Sequence, residues 1–243
     1  LIMPMSFGPD RFLKFPPAGF TLHWYAAYFS DPDWLAATFF SIRIAALTAI
    51  VATIVGTLIS LALVRGRLPG KPAFELLVVG PVIVPNIALA IATFLVFDGL
   101  RLTGTTLGFV AAHTALAMPF VVFTILASLY RFDADLERAA LSCGASPLRA
   151  FFWVTLPQIM PGIVSAALFA FIISFDEPVI SFFISDLDHR SLPRKMFEDI
   201  DYNVSPILAA VATVLTGLTI LALVIGHFLG RSGRSGSTTR KTG

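Results

Sequence analysis

The sequence predicts an all-α membrane protein, and its composition and its apolar stretches carry this prediction. Hydrophobic residues make up 56% of the 243 residues and charged residues only 13%, whereas about one-quarter of a soluble domain is charged. The mean hydropathy is +0.84. A helix needs about 20 mostly apolar residues to cross a bilayer. Five stretches are long enough, namely residues 35–64, 74–100, 106–129, 159–185 and 207–228.

The chain opens on Leu1 in the sequence LIMPMSF, which looks like the tail of an earlier span whose beginning is absent. We therefore expect five full transmembrane helices plus the tail of a truncated first one. Residues 1–230 would form one transmembrane domain. The remaining residues, 231–243, are rich in Ser, Gly and Arg, and this composition predicts a disordered tail.

The connections between the spans differ in character. Residues 7–33 are rich in Pro and Gly, and they predict a loop outside the cytoplasm with an aromatic belt at the membrane interface, made of Phe20, Trp24, Tyr25 and Tyr28. Residues 65–71 hold three basic residues and no acid, and residues 186–204 form a second polar loop. Within the second span, Pro81 and Pro85 are breakers that membrane helices tolerate when neighbouring helices bury them.

Signals for catalysis, metal binding and nucleic-acid binding are absent from the sequence. The single Cys143 rules out an internal disulfide, and the four His residues show no metal-ligand spacing. A net charge of +2 without a basic cluster argues against nucleic acid. Residues 66–71 fail as a phosphate loop, because Pro72 follows the lysine where Ser or Thr is needed. We expect no catalytic residue, metal or cofactor. If this chain served an ATP-driven process, the ATPase would have to be another polypeptide.

A charged stretch at residues 133–157, DADLERAALSCGASPLRAFFWVTLP, lies between the third and fourth apolar stretches. Its first half places apolar residues on one face of a helix, and Gly144 tolerates the left-handed turn that ends such a helix. Ser146 then caps a second helix with Pro147 at its first position, and Pro157 marks the next break. The stretch predicts a helix, a glycine turn and a second helix between two spans.

This stretch resembles the EAA loop, the cytoplasmic loop of permease subunits in binding-protein-dependent ABC importers. The family pattern is Glu-Ala-Ala, three residues, Gly, nine residues, an aliphatic residue, one residue and Leu-Pro. The same spacing here reads Arg138-Ala139-Ala140, Gly144, Val154 and Leu156-Pro157. The resemblance implies a type I ABC importer permease fold with a coupling loop at residues 131–157. It also implies that the ATPase is contacted through Glu137, Arg138, Ala139, Ala140, Gly144 and Pro157.

One departure from the family pattern concerns charge. Arg138 occupies the position of the family's glutamate, and Glu137 stands one residue earlier. We therefore expect a salt contact to the ATPase to be reversed or shifted. An ordinary amphipathic linker helix is the alternative interpretation of the stretch.

Polar residues inside two apolar stretches are the candidates for a substrate path. Asp176 and Glu177 precede Pro178 near the end of the fourth stretch, and ionised carboxylates at membrane depth usually face a wet path or the bundle interior. Alternatively, Pro178 ends the helix and both acids are hydrated at the outer interface. Asn86 in the second stretch either hydrogen-bonds a neighbouring helix or contacts substrate.

The segment Ser174-Phe175-Asp176-Glu177 also resembles a Ser-Phe-Asp-Glu/Asp segment of permeases for spermidine and putrescine. The N-terminal region and residues 191–197 extend this resemblance over nearly the whole chain. It implies half of a translocation path for a small organic cation in the bacterial inner membrane. The implied partners are a second permease subunit, ATPase subunits and a periplasmic binding protein. Another organic solute, a secondary transporter and a non-transporting scaffold are the alternatives.

The basic residues predict the orientation. Residues 65–71, 131–149 and 231–241 hold ten Lys and Arg residues, and the loops on the opposite side hold six. Cytoplasmic loops carry the excess of positive charge. We therefore expect the coupling loop and the C-terminus to be cytoplasmic.

Overall fold

The structure is a computed structural model that describes residues 2–10, 15–66, 69–186, 189–202 and 206–232. Among these residues every regular element is helical, which confirms the all-α prediction. The helices are α1 (Ile2–Met5), α2 (His23–Ser30), α3 (Pro32–Arg65), α4 (Lys71–Ile83), α5 (Asn86–Gly99), α6 (Thr106–Arg131), α7 (Ala134–Ser142), α8 (Pro147–Ala150), α9 (Leu156–Phe175), α10 (Val179–Ile184), α11 (Leu192–Tyr202) and α12 (Pro206–Ser232). A π-helical segment, Phe151–Thr155, joins α8 to α9. Residues 233–243 of the predicted disordered tail lie outside the described residues.

The core is a bundle of α3, α6 and α9, which pack along one another. Many of the contacting residues are small, and this lets the helix backbones approach closely. The central cluster consists of Ala49, Ala52, Ala117, Val121, Ile125, Leu129, Ile159, Ala166 and Ala170. Two glycines lie at close crossings as well. A Cβ added at Gly56 would lie 2.5 Å from Val121 Cγ1, and one added at Gly162 would overlap Ser128 Oγ.

Three helical paths are long and apolar enough to cross a membrane, namely Pro32–Arg65, Thr106–Arg131 and Pro147–Phe175. The first two match predicted spans closely. The described apolar part of α12 is shorter, Pro206–Leu221. The structure therefore supports several spanning helices, and the expected number of five full spans is not confirmed among the described residues.

The second predicted span, residues 74–100, is not one continuous helix. It consists of α4 and α5, whose axes are bent by 109°. The bend lies at Val84, which is extended with φ −76° and ψ 133°. Pro85 causes the bend, because its ring disfavours the helical conformation of the preceding residue. The pair forms either a broken span or a re-entrant segment.

The fourth predicted span begins earlier than expected, and the break predicted at Pro157 is wrong. The helical path starts at Pro147 and runs through the π-helical segment into α9. The Leu156 N–H donates to the Phe151 carbonyl, a wider turn than that of an α-helix. Pro157 then falls in the first turn of α9, where the missing N–H costs little.

The same span ends at Phe175 rather than at residue 185. The last helical bond of α9 runs from the Asp176 N–H to the Ile172 carbonyl, and Pro178 cannot donate the next one. Residues 179–184 form the separate helix α10.

Two segments that the sequence predicts as loops contain helical or buried residues. The predicted polar loop at residues 186–204 contains α11, and the Leu192 N–H donates to Ser41 Oγ of α3 at 2.7 Å. Tyr28 was predicted to lie in the membrane interface, but it is buried. Its hydroxyl lies 2.6 Å from Thr38 Oγ1, so this part of the predicted aromatic belt belongs to the core.

Candidate functional site

The coupling segment, residues 131–157, has the predicted helix–turn–helix form. Asp133 caps α7 by accepting from the Asp135 N–H at 2.9 Å. The chain turns at Gly144, whose φ of +86° favours glycine over residues with a side chain. Ser146 then accepts from the Arg149 N–H at the start of α8. Short polar side chains and one glycine therefore determine the local shape, as the sequence indicated.

Glu137 of α7 points inward and joins three elements. Its Oε1 accepts from Arg65 Nη1 at 2.9 Å, and its Oε2 accepts from Arg65 Nη2. Oε2 also accepts from the Thr155 hydroxyl at 2.6 Å. Arg65 ends the first span and Thr155 ends the π-helical segment. The carboxylate therefore connects the coupling helix to the ends of α3 and α9 within this chain.

Arg138 points away from this network. It forms an ion pair with Asp135 on the same helix, and both side chains are almost three-quarters exposed. Ala139, Gly144 and Pro157 are also exposed, and Ala140 is half-buried. Of the two charged residues at the start of the family motif, the arginine is thus the one available at the surface. The acid is held internally.

Apolar side chains are exposed beside the turn. Leu148 is 72% exposed and Trp153 is 82% exposed. A cavity of about 370 Å³ opens beneath α7, with Arg65 and Glu137 among its lining residues and apolar walls from Val64, Leu129, Phe132 and Leu141. Large exposed apolar groups of this kind are typical of a surface that contacts another protein or the membrane.

The two predicted acids at the end of α9 have different environments. Asp176 ends α9 and is exposed, whereas Glu177 is buried. Glu177 Oε1 accepts from the N–H groups of Val179 at 2.7 Å and Ile180 at 2.9 Å. Glu177 therefore caps α10, and Asp176 is the exposed carboxylate of the two. The interpretation in which both acids are fully hydrated does not fit Glu177.

His113 of α6 lies against the same region and is fully enclosed. Its Nδ1 is 2.8 Å from Ser174 Oγ and its Nε2 is 3.3 Å from Ser181 Oγ. His113 precedes both serines in the sequence by more than sixty positions. No local pattern therefore indicates the cluster. Only the packing of α6 against α9 and α10 brings them together.

Asn86 is the first residue of α5, directly after the bend, and it is exposed. One turn later, Ala90 is buried in a cluster that includes Ile180 of α10 and Phe109 of α6. Asn86 therefore stands next to the part of α5 that packs on α10. Its place in a substrate path stays a prediction.

The two candidate regions lie at opposite ends of the bundle. The Arg65–Glu137 contact brings the end of α3 and the coupling segment to one end. At the other end, the Gly104 N–H donates to the Ile184 carbonyl at 2.7 Å. Among the described residues no cluster of His, Cys, Asp or Glu has the arrangement of a metal site.

A family model described as the inner membrane component of binding-protein-dependent transport systems matches residues 56–233. This match includes both the coupling segment and the acids at the end of α9. The chain belongs to this family of inner membrane components. It is a transport permease subunit and not an enzyme.

Relatives of this inner membrane component include polyamine permeases. The putrescine transport system permease protein PotI of Escherichia coli K12 is 32% identical over 222 residues, which cover 87% of this chain and 78% of the relative. The spermidine/putrescine transport system permease protein PotC of Haemophilus influenzae is 32% identical over 234 residues, covering 95% and 90%. The trehalose transport system permease protein SugB of Mycobacterium tuberculosis is 29% identical over 171 residues, covering 69% and 61%.

Solved structures of ABC importers share the fold of this inner membrane component. A bacterial ABC transporter for the acidic polysaccharide alginate matches with a TM-score of 0.68 at 15% identity, covering 95% of this chain and 88% of its own. The MetNI methionine ABC transporter matches with a TM-score of 0.63 at 17% identity, covering 86% and 100%. At these identities the likeness concerns the fold, which is that of an ABC importer permease.

Proposed function

We propose that this permease forms half of the translocation path of an ATP-driven importer for a small organic cation such as putrescine or spermidine. The observation that carries the proposal is the similarity, at 31–32% identity over 87–98% of the chain, to permeases named for these two substrates. Polyamines carry several positive charges. A carboxylate along the path attracts such a solute without holding it tightly.

Asp176 is the residue of this chain that suits that role best. It is exposed at the helix break, whereas the carboxylate of Glu177 is occupied by two backbone N–H groups. Two unit charges about 4 Å apart interact with roughly 4 kcal/mol at an effective dielectric of 20. Exposure to water lowers this to about 1 kcal/mol. Such a contact attracts the cation and still releases it.

We propose one kind of partner for each end of the bundle. The coupling segment would dock on a separate ATPase subunit through Arg138, Gly144 and the exposed apolar residues Leu148 and Trp153. The opposite end, near Asp176, would face a periplasmic binding protein. A second permease subunit would complete the path, and the coupling segment and C-terminus would be cytoplasmic, as the excess of basic residues predicts.

The test is transport by the assembled complex, with this chain, its partner permease, the ATPase and the binding protein reconstituted in lipid vesicles. We expect ATP-dependent uptake of labelled putrescine or spermidine and no uptake of trehalose. Uptake of trehalose alone would replace the polyamine assignment with that of a neutral solute. Uptake that needs an ion gradient but no ATP would overturn the importer class itself.

Single substitutions then test the role of Asp176. Asp176→Asn should weaken the apparent affinity for putrescine by about fivefold to tenfold, because it removes about 1 kcal/mol of attraction. Glu177→Gln should change it less, since the amide oxygen still accepts both N–H groups. Asp98→Asn, another exposed acid, near the end of α5, is the matched control. Equal values for wild type and Asp176→Asn would exclude this carboxylate from the path.

A further inference from the structure

His113 is a buried ionisable side chain that the proposed function does not use. It is 1% exposed, and its ring meets the ring of Phe109 at 5.9 Å between centroids. One ring nitrogen lies near Ser174 in the last turn of α9, and the other lies near Ser181 in α10. The histidine therefore contacts both sides of the helix break at residues 176–178.

The break needs such a connection, because regular helical bonds stop there. The last bond of α9 ends on the Asp176 N–H, and the first N–H groups of α10 are taken by the Glu177 carboxylate. The first helical bond of α10 runs from the Phe182 N–H to the Pro178 carbonyl. The angle between α9 and α10 must therefore be held by tertiary contacts.

The imidazole ring suits this task because its two nitrogens lie on opposite edges of a rigid plane. In the neutral ring one nitrogen donates and the other accepts. A serine hydroxyl can play either part, so both contacts are satisfied in either tautomer. Asn or Gln at the same position would reach one hydroxyl but not both.

We infer that His113 is a positioning residue that sets the angle between α9 and α10 and thereby the place of the Asp176 carboxylate in the path. This inference rests on the proposed function for the role of Asp176. The hydrogen bonds to Ser174 and Ser181 carry it. Any buried imidazole needs hydrogen-bond partners, and here the two partners lie on different helices, so the ring joins α9 to α10.

The geometry is tested directly by a distance measurement in the assembled transporter. In a Cys143→Ser background, spin labels are placed on Phe169→Cys in α9 and Phe182→Cys in α10, both of which are exposed in this chain. We expect one narrow distance distribution with His113 present. The distribution should shift or broaden in His113→Ala, and in Ser174→Ala and Ser181→Ala, which keep the ring and remove one hydroxyl each.

The transport readout separates positioning from packing. Loss of one buried hydrogen bond costs enough to change an equilibrium by about tenfold. We therefore expect Ser174→Ala and Ser181→Ala to raise the apparent KM for putrescine by about tenfold, with a smaller change in maximal rate. His113→Asn retains a polar group near Ser174, and His113→Gln retains one near Ser181. Each should therefore raise the apparent KM less than His113→Ala does. Thr213→Ala removes a hydroxyl bonded within its own helix and should change nothing.

Unchanged distances in both serine variants would overturn the inference, and so would an unchanged KM in both. If His113→Ala lowered the yield of folded protein but left the distance between the two spin labels normal, His113 would serve packing only. The distance result does not depend on the solute, so a complex that transports a neutral solute would refute the proposed function and leave the role of His113 at the break intact.

Discussion

The Arg65–Glu137 ion pair allows a decisive test of where the acid of the coupling motif acts. In the structure Glu137 binds Arg65 and Thr155 within the chain, whereas the family pattern places the acid's contact on the ATPase. Arg65→Gln, Glu137→Gln and the double variant distinguish these arrangements. If the pair is internal, the second substitution adds little to the first, because the interaction is already lost.

The expected magnitude follows from the geometry and the exposure of the two side chains. A hydrogen bond to a charged group contributes about 1.5–3 kcal/mol when it is shielded from water, and an exposed ion pair contributes about 0.2–1 kcal/mol. The Arg65 side chain is 38% exposed and that of Glu137 is 17% exposed. We therefore expect a coupling energy of about 1–2 kcal/mol, which corresponds to about a 5- to 30-fold change in an equilibrium.

Hydrogen exchange of the α7 backbone amides in the assembled transporter measures this equilibrium, since the amides exchange when the helix opens locally. Each single variant should speed exchange by about 5- to 30-fold, and the double variant should match the faster single one. Glu75→Gln is the control, because it breaks an exposed pair with Lys71 on α4. It should change the exchange rate of the α7 amides by less than about twofold. The internal pairing is refuted if Arg65→Gln leaves α7 protected or if the two single effects multiply.

Three further predictions concern the turn, the core and the orientation. Gly144→Val forces a β-branched residue to a positive φ at a cost of roughly 1–2 kcal/mol or more, so it should abolish substrate-stimulated ATP hydrolysis while membrane insertion stays normal; wild-type stimulation would remove the turn from the coupling mechanism. Gly162→Ala should lower the melting temperature, since the added Cβ meets Ser128 at a cost of about 1–3 kcal/mol, and Ser128→Gly should restore it; an unaffected melting temperature would contradict the close crossing. In cells that lack the ATPase, an impermeant thiol reagent added from outside should not label the exposed Cys143. It should label Gly99→Cys in a Cys143→Ser background, and the reverse labelling pattern would invert the topology.

Features that depend on local chemistry or on composition could be predicted from the sequence. The excess of apolar residues predicted membrane helices, and the spacing within residues 133–157 predicted the coupling segment and its family. The turn at Gly144 and the cap at Ser146 were also predictable, because a positive φ and an N-terminal cap each depend on one residue type and its immediate neighbours. These properties require no knowledge of what the segment packs against.

Which side chains meet across the bundle depends on how the helices pack. Glu137 and Arg138 are adjacent in the sequence, yet α7 directs one to Arg65 and the other to the surface, because the end of α3 supplies the charge. Asp176 and Glu177 are equally adjacent, and only the start of α10 distinguishes them by offering two N–H groups to Glu177. The pairing of His113 with two serines also depends on contacts between distant elements. The π-helical segment at residues 151–155 likewise has no signal in the sequence pattern. Periodicity and composition describe the faces of one helix, and they contain no information about the partner that each face will find.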